Sequence, residues 1–368
     1  MTHMRIGDPA PWFNAPTPTN PGFSFPSVAG RYILLGFPPA DLAERERVFQ
    51  ALSPNTVDLD DGRVTAFVFL RDQETFARAR DRNGIRWFFD PDDRISRLYG
   101  AVAEDGTRHP MWMVLDPSLR VLFIAPIEAT QAVFERLRGL PPPDYHAGGP
   151  MHAPVMIMPR LFDPELCRRL ITYYETNGGK PSGVMREENG RTVGVLDNFK
   201  KRRDCPIDDE GLQAETRGLL QRKLLPEIKK AFRFNVTRLE RYIVARYGAD
   251  EGGYFRPHRD NLTAGTAHRE FACSINLNAE EFEGGDLRFP EYGMRTYRPP
   301  TGGAVVFSCS LLHEATPVTK GARYAFLPFF YNEAGDAIRE RNAHLITPQP
   351  NPDAPAEAEA EPAQQTAG

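Results

Sequence analysis

Residues 252–261 read GGYFRPHRDN, and residues 310–324 read SLLHEATPVTKGARY. Around them lie short apolar runs punctuated by Gly, Pro and Asn: RLERYIVARY (238–247), EFACSINLN (270–278), DLRFPEY (286–292), GAVVFS (303–308) and YAFLPFFYN (324–332). Several strands of this length at this spacing predict an antiparallel sandwich or barrel. His258 and Asp260 are two residues apart, so on an extended strand both side chains face the same way. His313, beyond the strand that begins at Gly303, is the natural third member. Two imidazoles and one carboxylate cap one face of a six-coordinate Fe(II) and leave the opposite face open for substrate and oxygen. His-x-Asp alone is common by chance, and a histidine of this kind is often a satisfied core or surface residue.

Arg323 follows His313 on an apolar strand, where a buried guanidinium without a partner is costly. A dicarboxylate cosubstrate would supply that partner, since the planar fork suits a carboxylate. A salt bridge to a protein acid or a surface-facing edge is the alternative.

The rest of the chain sets the frame. Its 368 residues allow two domains of ordinary size, and 41% apolar with 26% charged residues is an ordinary soluble composition. No run approaches the roughly 20 apolar residues of a membrane span. The opening MTHMRIGDPAPWF lacks a basic region followed by an apolar core, so no signal peptide is expected. The formal charge of −4 equals the contribution of Asp353, Glu357, Glu359 and Glu361 in the tail, so the body is near neutral. Global charge therefore points to neither nucleic acid nor membrane as a partner. The 4 cysteines, Cys167, Cys205, Cys273 and Cys309, show no metal-type spacing and read as buried thiols of a reduced, cytoplasmic protein.

Upstream, RYILLGF (31–37) and VTAFVFL (64–70) read as strands, while LAERERVFQAL (42–52) and QETFARARDRNG (73–84) carry helical spacing. The second helix is expected to end at Asn83-Gly84. MWMVLD (111–116) and VLFIAP (121–126) close the region as a hairpin, so residues 1–141 form a small α/β domain. Residues 142–154 belong to a Pro- and Gly-rich stretch with linker chemistry. In LFDPELCRRLITYYETNGG (161–179), Asp163 is placed as N-cap, Pro164 in the first turn and Gly178 past the end. A second long helical stretch covers Glu210 to Phe232. The tail, 347–368, lacks large apolar residues and is expected to be disordered. Lys200 to Arg203, in NFKKRRDC (198–205), read as a solvated charged face; attraction of an acidic peptide or substrate carboxylate is the functional alternative.

ARYGADEGGYFRPHRD (245–260), INLNAEEFEGGDLRFPEYG (275–293) and PPTGGAVVFSCSLLHEATPVTKGARYAF (299–326) together resemble the prolyl 4-hydroxylase-like Fe(II)/2-oxoglutarate-dependent dioxygenases. The likeness covers residues 155–335 and implies an α+β double-stranded β-helix, or jelly roll, with helices on one side. It implies that His258, Asp260 and His313 bind iron and that Arg323 holds the distal carboxylate of 2-oxoglutarate. By the same resemblance Tyr247 lines the cosubstrate pocket, with a buried core tyrosine as the alternative. Asn276 stands where some relatives have tyrosine. Phe255 stands where relatives commonly have tyrosine, with Tyr254 beside it, which leaves the pocket's hydroxyl unassigned. The implied cofactors are Fe(II), 2-oxoglutarate and O2, with ascorbate as a further one. The implied reaction is hydroxylation of an unactivated C–H bond in a peptide, protein or small molecule, prolyl hydroxylation of a protein being the first guess. Tyr254, Phe255 and Tyr292 are candidates for a proline-accepting wall.

RIGDPAPWFNAPTP (5–18), GRYILLGFPPADLAERE (30–46), FFDPDDRISRLYGAV (88–102) and MWMVLDPSLRVLF (111–123) resemble the peroxiredoxin/AhpC-TSA group of thioredoxin-like α/β proteins. The places of that family's threonine and peroxidatic cysteine fall on Ala43 and Glu46. With no cysteine in the first half, thiol peroxidase activity is expected to be absent. Pro110 matches either that fold's cis-proline or a trans strand-start proline. A degenerate redoxin of this kind serves docking, oligomerisation as a homodimer, or substrate presentation. A catalytically silent binding or scaffold protein remains the second reading.

Overall fold

The computed structural model describes residues 4–52, 58–188 and 190–347. The expected tail, apart from Thr347, lies outside the described residues. Thr347 itself closes a short strand, Ile346–Thr347, parallel to Arg191–Val195.

The N-terminal sheet runs Ile85–Phe89, Val64–Leu70, Tyr32–Phe37, Met111–Leu115, Val121–Pro126. The first three strands are parallel; the last two are antiparallel to their neighbours. Tyr32–Phe37 and Val64–Leu70 are buried at every position, as continuous apolar runs covered on both faces must be. One face packs Leu34, Val68 and Val114 on Val48 and Leu52 of helix Leu42–Leu52 and on Val133 and Phe134 of helix Thr130–Arg138. The other packs Ile33, Leu35 and Met113 on Phe13, Phe25 and Tyr99.

The second expected helix is shorter than its spacing suggested. It spans Gln73–Arg78, capped by Asp72, whose side chain accepts from the Thr75 amide. Asn83-Gly84 instead forms a tight turn that closes a bridge between Arg82 and Ile85, with Gly84 at φ +72. Asn-Gly suits such a turn as well as a helix end, and pairing into the sheet decides between them. Among the described residues no peptide bond is cis, so Pro110 precedes its strand in the trans form.

Past residue 155 the two largest sheets are antiparallel. The larger follows the order Arg238–Glu240, Phe329–Tyr331, Phe271–Asn276, Ala322–Phe326, Ile243–Gly248, Arg203–Pro206, Lys180–Pro181, with Ala304–Ser308 also paired to Phe271–Asn276. The smaller runs Lys200–Lys201, Tyr254–His258, His313–Ala315, Leu287–Arg288, Thr296–Tyr297. Two of the expected long strands break in the middle. Arg241, at φ +57, interrupts residues 238–247, and Pro328, which has no amide proton to donate, interrupts 324–332.

Alternation along the larger sheet sorts its side chains. Val244, Cys273, Ile275 and Phe326 face outward onto Leu166 and Leu170 of helix Pro164–Asn177 and onto Leu224 and Ile228. Ala245 and Tyr247 face inward and pack with Phe255 and Ala315 of the smaller sheet. The two sheets thus enclose an interior, a jelly-roll-type arrangement. Helix Pro164–Asn177 has the expected caps, Asp163 accepting from the Leu166 amide and Gly178 at φ +71. The stretch from Glu210 to Phe232 is helical throughout but contains a wide turn at Leu220–Leu224 just before Pro226. Proline's missing N–H and its ring clash with the preceding turn account for the widening. All 4 cysteines are free and buried, and burial pushes the Cys167 thiol up to about 12. No helix among the described residues is long and apolar enough to cross a membrane.

Candidate metal centre

His258 ends strand Tyr254–His258 and stands directly opposite His313, the first residue of its own strand. Asp260 is not on the strand, as the two-residue spacing suggested; it sits in the turn that follows, its amide donating to Cys309 O at 2.9 Å. The strand's alternation nevertheless carries through, and the carboxylate faces both imidazoles. Asp260 Oδ1 lies 3.6 Å from His258 Nε2, and Oδ2 lies 3.4 Å from His313 Nε2. The three potential ligand atoms are all within 4.8 Å of one another.

The second nitrogen of each ring fixes its tautomer. His258 Nδ1 is 2.8 Å from Arg256 O, and His313 Nδ1 is 3.0 Å from Leu311 O. A carbonyl can only accept, so both Nδ1 atoms carry hydrogen and both Nε2 atoms offer lone pairs when the rings are neutral. Burial, reinforced by His258, pushes His313 down to about 4, so this ring is neutral at pH 7. Burial alone would raise the Asp260 carboxyl, but His313 and His258 outweigh it and hold the group well below the usual carboxylate range. Half-buried lone pairs converging on an ionised carboxylate repel unless a cation sits among them. Two neutral imidazoles and a carboxylate are also the donors that a divalent transition metal requires. The residues fit the metal.

Arg323 is 3% exposed and points into the same interior. It stands directly opposite Tyr247 in the sheet register, with its guanidinium 5.3 Å from the Tyr247 ring centre. Its Nη2 donates to Ser274 Oγ at 2.7 Å and its Nε to Asn276 Oδ1 at 3.4 Å. Both partners are neutral, and among the described residues neither a salt bridge nor a surface-facing edge accounts for it. Burial lowers its pKa, the mark of a cation in want of an anion. Asn276 is held in turn by Pro299 O at 2.8 Å, and therefore orients the guanidinium.

Tyr247 is buried, and its hydroxyl accepts from Arg202 Nη1 at 3.3 Å. That contact corrects the reading of Lys200 to Arg203 as a solvated face. Lys200 and Arg202 are buried while Lys201 is exposed. Lys200 Nζ donates to Ser182 Oγ at 2.7 Å and Gly183 O at 2.8 Å, and Arg202 pairs with Asp204 at 2.5 Å. The run alternates, and residues 200, 202 and 204 share the inner face. Period-two spacing was the available signal for Arg202, and also for Ser274, two residues before Asn276.

Phe255 stacks on the His258 ring, centres 3.4 Å apart. The Tyr254 hydroxyl donates to Asn198 O, turned away from the metal ligands. Tyr292 packs with Phe289 and Val305, in a different cluster from Phe255, so the three aromatics do not form one wall. In the N-terminal domain Ala43 and Glu46 are exposed on their helix. A cleft of about 630 Å³ near that helix is lined by Phe37, Arg45, Phe69 and Arg108 among others, with no thiol.

Residues 242–331 match the 2OG-Fe(II) oxygenase superfamily, so this part of the chain carries a 2OG-Fe(II) oxygenase domain, a class that uses Fe(II), 2-oxoglutarate and O2. Procollagen-lysine,2-oxoglutarate 5-dioxygenase 1 of Mus musculus is 32% identical over 175 residues, 46% of this chain and 23% of the mouse protein. A PKHD-type hydroxylase of Stenotrophomonas maltophilia (strain R551-3) is 32% identical over 97 residues, 24% of this chain and 43% of that protein. The chain thus spans less than half the length of either relative. Among solved structures, a Trichoplax adhaerens prolyl hydroxylase in complex with a hypoxia inducible factor peptide fragment aligns over 50% of this chain and 86% of that one, at TM-score 0.39 and 16% identity.

Proposed function

We propose that this protein is an Fe(II)- and 2-oxoglutarate-dependent dioxygenase that hydroxylates an unactivated C–H bond. The observation that carries the reading is the convergence of His258, His313 and the Asp260 carboxylate, with their potential ligand atoms within 4.8 Å of one another, in a half-buried site. His258, Asp260 and His313 would hold the metal, and Arg323 the distal carboxylate of 2-oxoglutarate. With O2, those groups supply oxidation of C–H to C–OH, with succinate and carbon dioxide as by-products. The chain's own contribution is positional. Arg256 O and Leu311 O hold the imidazoles in the metal-binding tautomer, and Ser274 and Asn276 aim Arg323. Tyr247 and Phe255 wall the interior against water. A polypeptide is the proposed substrate class, prolyl first and lysyl second, supported by a relative named for procollagen lysine.

The N-terminal domain we read as a thioredoxin-like unit without peroxidase chemistry. Its sheet order, with three parallel strands and an antiparallel hairpin, supports the first part, and the absence of cysteine before Cys167 supports the second.

Anaerobic titration of apo-protein with Fe(II), then 2-oxoglutarate, should develop the visible charge-transfer band of a chelated keto acid. His258→Ala and Asp260→Ala should abolish it. Failure of the band to form in folded wild-type protein would sink the proposal and leave a binding module.

A further inference from the structure

The residues next to the metal ligands in sequence point the other way, into the N-terminal domain. Between His258 and Asp260 stands Arg259, only 7% exposed. Its Nη2 donates to Pro26 O at 3.2 Å, and its guanidinium lies 4.4 Å from the Trp12 ring centre. Just before His313 stands Leu312, fully buried in the core cluster of the N-terminal sheet with Phe13, Phe25 and Leu35. Alternation along an extended chain makes this unavoidable: ligands that face the interior leave their neighbours facing outward. Here the outward side is the other domain.

One carboxylate ties the two ligand-bearing segments together. Glu291 accepts from Arg259 Nη1 at 3.1 Å and Nη2 at 2.8 Å, and its Oε2 also accepts from the Leu312 amide at 3.0 Å. Its own turn, Pro290–Tyr292, is pressed against the N-terminal domain: a Cβ on Gly30 would meet Pro290 Cβ at 2.7 Å. The path from Trp12 and Pro26 through Arg259 and Glu291 to His258, Asp260 and His313 is thus continuous, with Pro26, Arg259 and His313 buried along it.

We infer that the N-terminal domain is a positioning platform for the metal centre. Arg259 and Glu291 are positioning residues. They touch no ligand atom, but they fix the His258–Asp260 turn relative to the His313 strand and anchor both to Trp12 and Pro26. Coupling of this kind is reciprocal, so occupancy of the metal site also tightens the domain contact. This rests on the metal-centre reading above.

The test is a titration of full-length apo-protein with Co(II), whose d–d absorption reports ligand geometry. Wild type is compared with Arg259→Met, Arg259→Lys, Glu291→Gln and Trp12→Ala. Arg259→Met and Glu291→Gln should weaken Co(II) binding by about 10- to 100-fold, the usual cost of losing a group that orients ligands, and should change the band shape. Arg259→Lys should recover only part of the loss, because an ammonium cannot reproduce the two-pronged contact. Trp12 is 48% exposed, so Trp12→Ala keeps the fold and should weaken binding by roughly two- to fivefold, as loss of a partly exposed cation–π contact implies. Hydrogen exchange gives an independent readout. The Phe25 and Gly30 amides, which donate to Phe13 O and Pro117 O within the N-terminal domain, should slow on Co(II) addition in wild type but not in Arg259→Met. The inference is overturned if Glu291→Gln and Trp12→Ala, folded by circular dichroism, bind Co(II) with wild-type affinity and spectrum while Phe25 and Gly30 exchange ignores the metal. No Co(II) binding by wild type would instead overturn the metal-centre reading, and the platform with it.

Discussion

Arg323 shows how much one side chain can imply. A guanidinium taken out of water with a serine hydroxyl, a carboxamide and a tyrosine ring for company is unstable unless an anion joins it. Truncating one partner of a buried charge pair costs about 2–5 kcal/mol, so Arg323→Ala should raise the half-saturation for 2-oxoglutarate on the order of 30- to 5,000-fold. Ser274→Ala removes one hydrogen bond worth about 1 kcal/mol and should raise it roughly fivefold. Titrating the charge-transfer band with 2-oxoglutarate measures both; equal affinities in all three proteins would place the cosubstrate elsewhere. Glu240 contributes to acid stability instead. Burial alone would raise its pKa, but Arg269 and hydrogen bonds from His268 and Arg269 hold it well below the usual range. Its native pKa therefore lies under the unfolded value of about 4.3. The stabilisation is complete above that value and is lost as pH falls through the native pKa. Urea midpoints measured between pH 7 and 3 should drop more steeply for wild type than for Glu240→Gln, with the difference confined to pH below about 5.

At the scale of elements, local chemistry explains most boundaries. Asp163 accepts from the Leu166 amide at 2.8 Å, satisfying one of the free donors at the start of helix Pro164–Asn177. Replacing it with alanine should lower stability by about 1 kcal/mol, read from the urea midpoint; no change would mean that the turn holds itself. Pro226 makes the opposite point, since the helix runs through it by widening one turn rather than by stopping. Helix Gln73–Arg78 stops short of its spacing because helical periodicity in ARARDRNG competes with a turn that pairs into the sheet. The Lys200–Arg203 run turns two of its charges inward for a related reason. Charge density in a sequence says nothing about alternation, and on an extended segment every second charge turns inward.

For the whole molecule, the decisive feature is that the N-terminal sheet and its packing meet the second half of the chain behind His258, Asp260 and His313. Gly30 allows that approach: at φ +95 it adopts a backbone conformation that other residues rarely tolerate, and a side chain there would strike Pro290. Gly30→Ala should destabilise the full chain by about 1–3 kcal/mol. Gly149→Ala, with nothing within 4 Å of an added Cβ, should be close to neutral. Calorimetry on both variants checks this, and equal melting temperatures would mean that the domains are not held as described.

Most strand and helix identities and the strand-rich second half could be read from residue order, because apolar periodicity is a local property, and His258, Asp260, His313 and Arg323 could be named from it as candidates. So could the missing thiol, since absence of a residue type needs no geometry. What residue order could not supply was which side of each strand faces what. The inward turn of Lys200 and Arg202, the neutral company of Arg323, and the clasp of Arg259 and Glu291 on the first domain all depend on contacts between segments far apart in the chain. A strand's alternation is written in its sequence, but which face meets the interior, solvent or another domain is decided only when the sheets close.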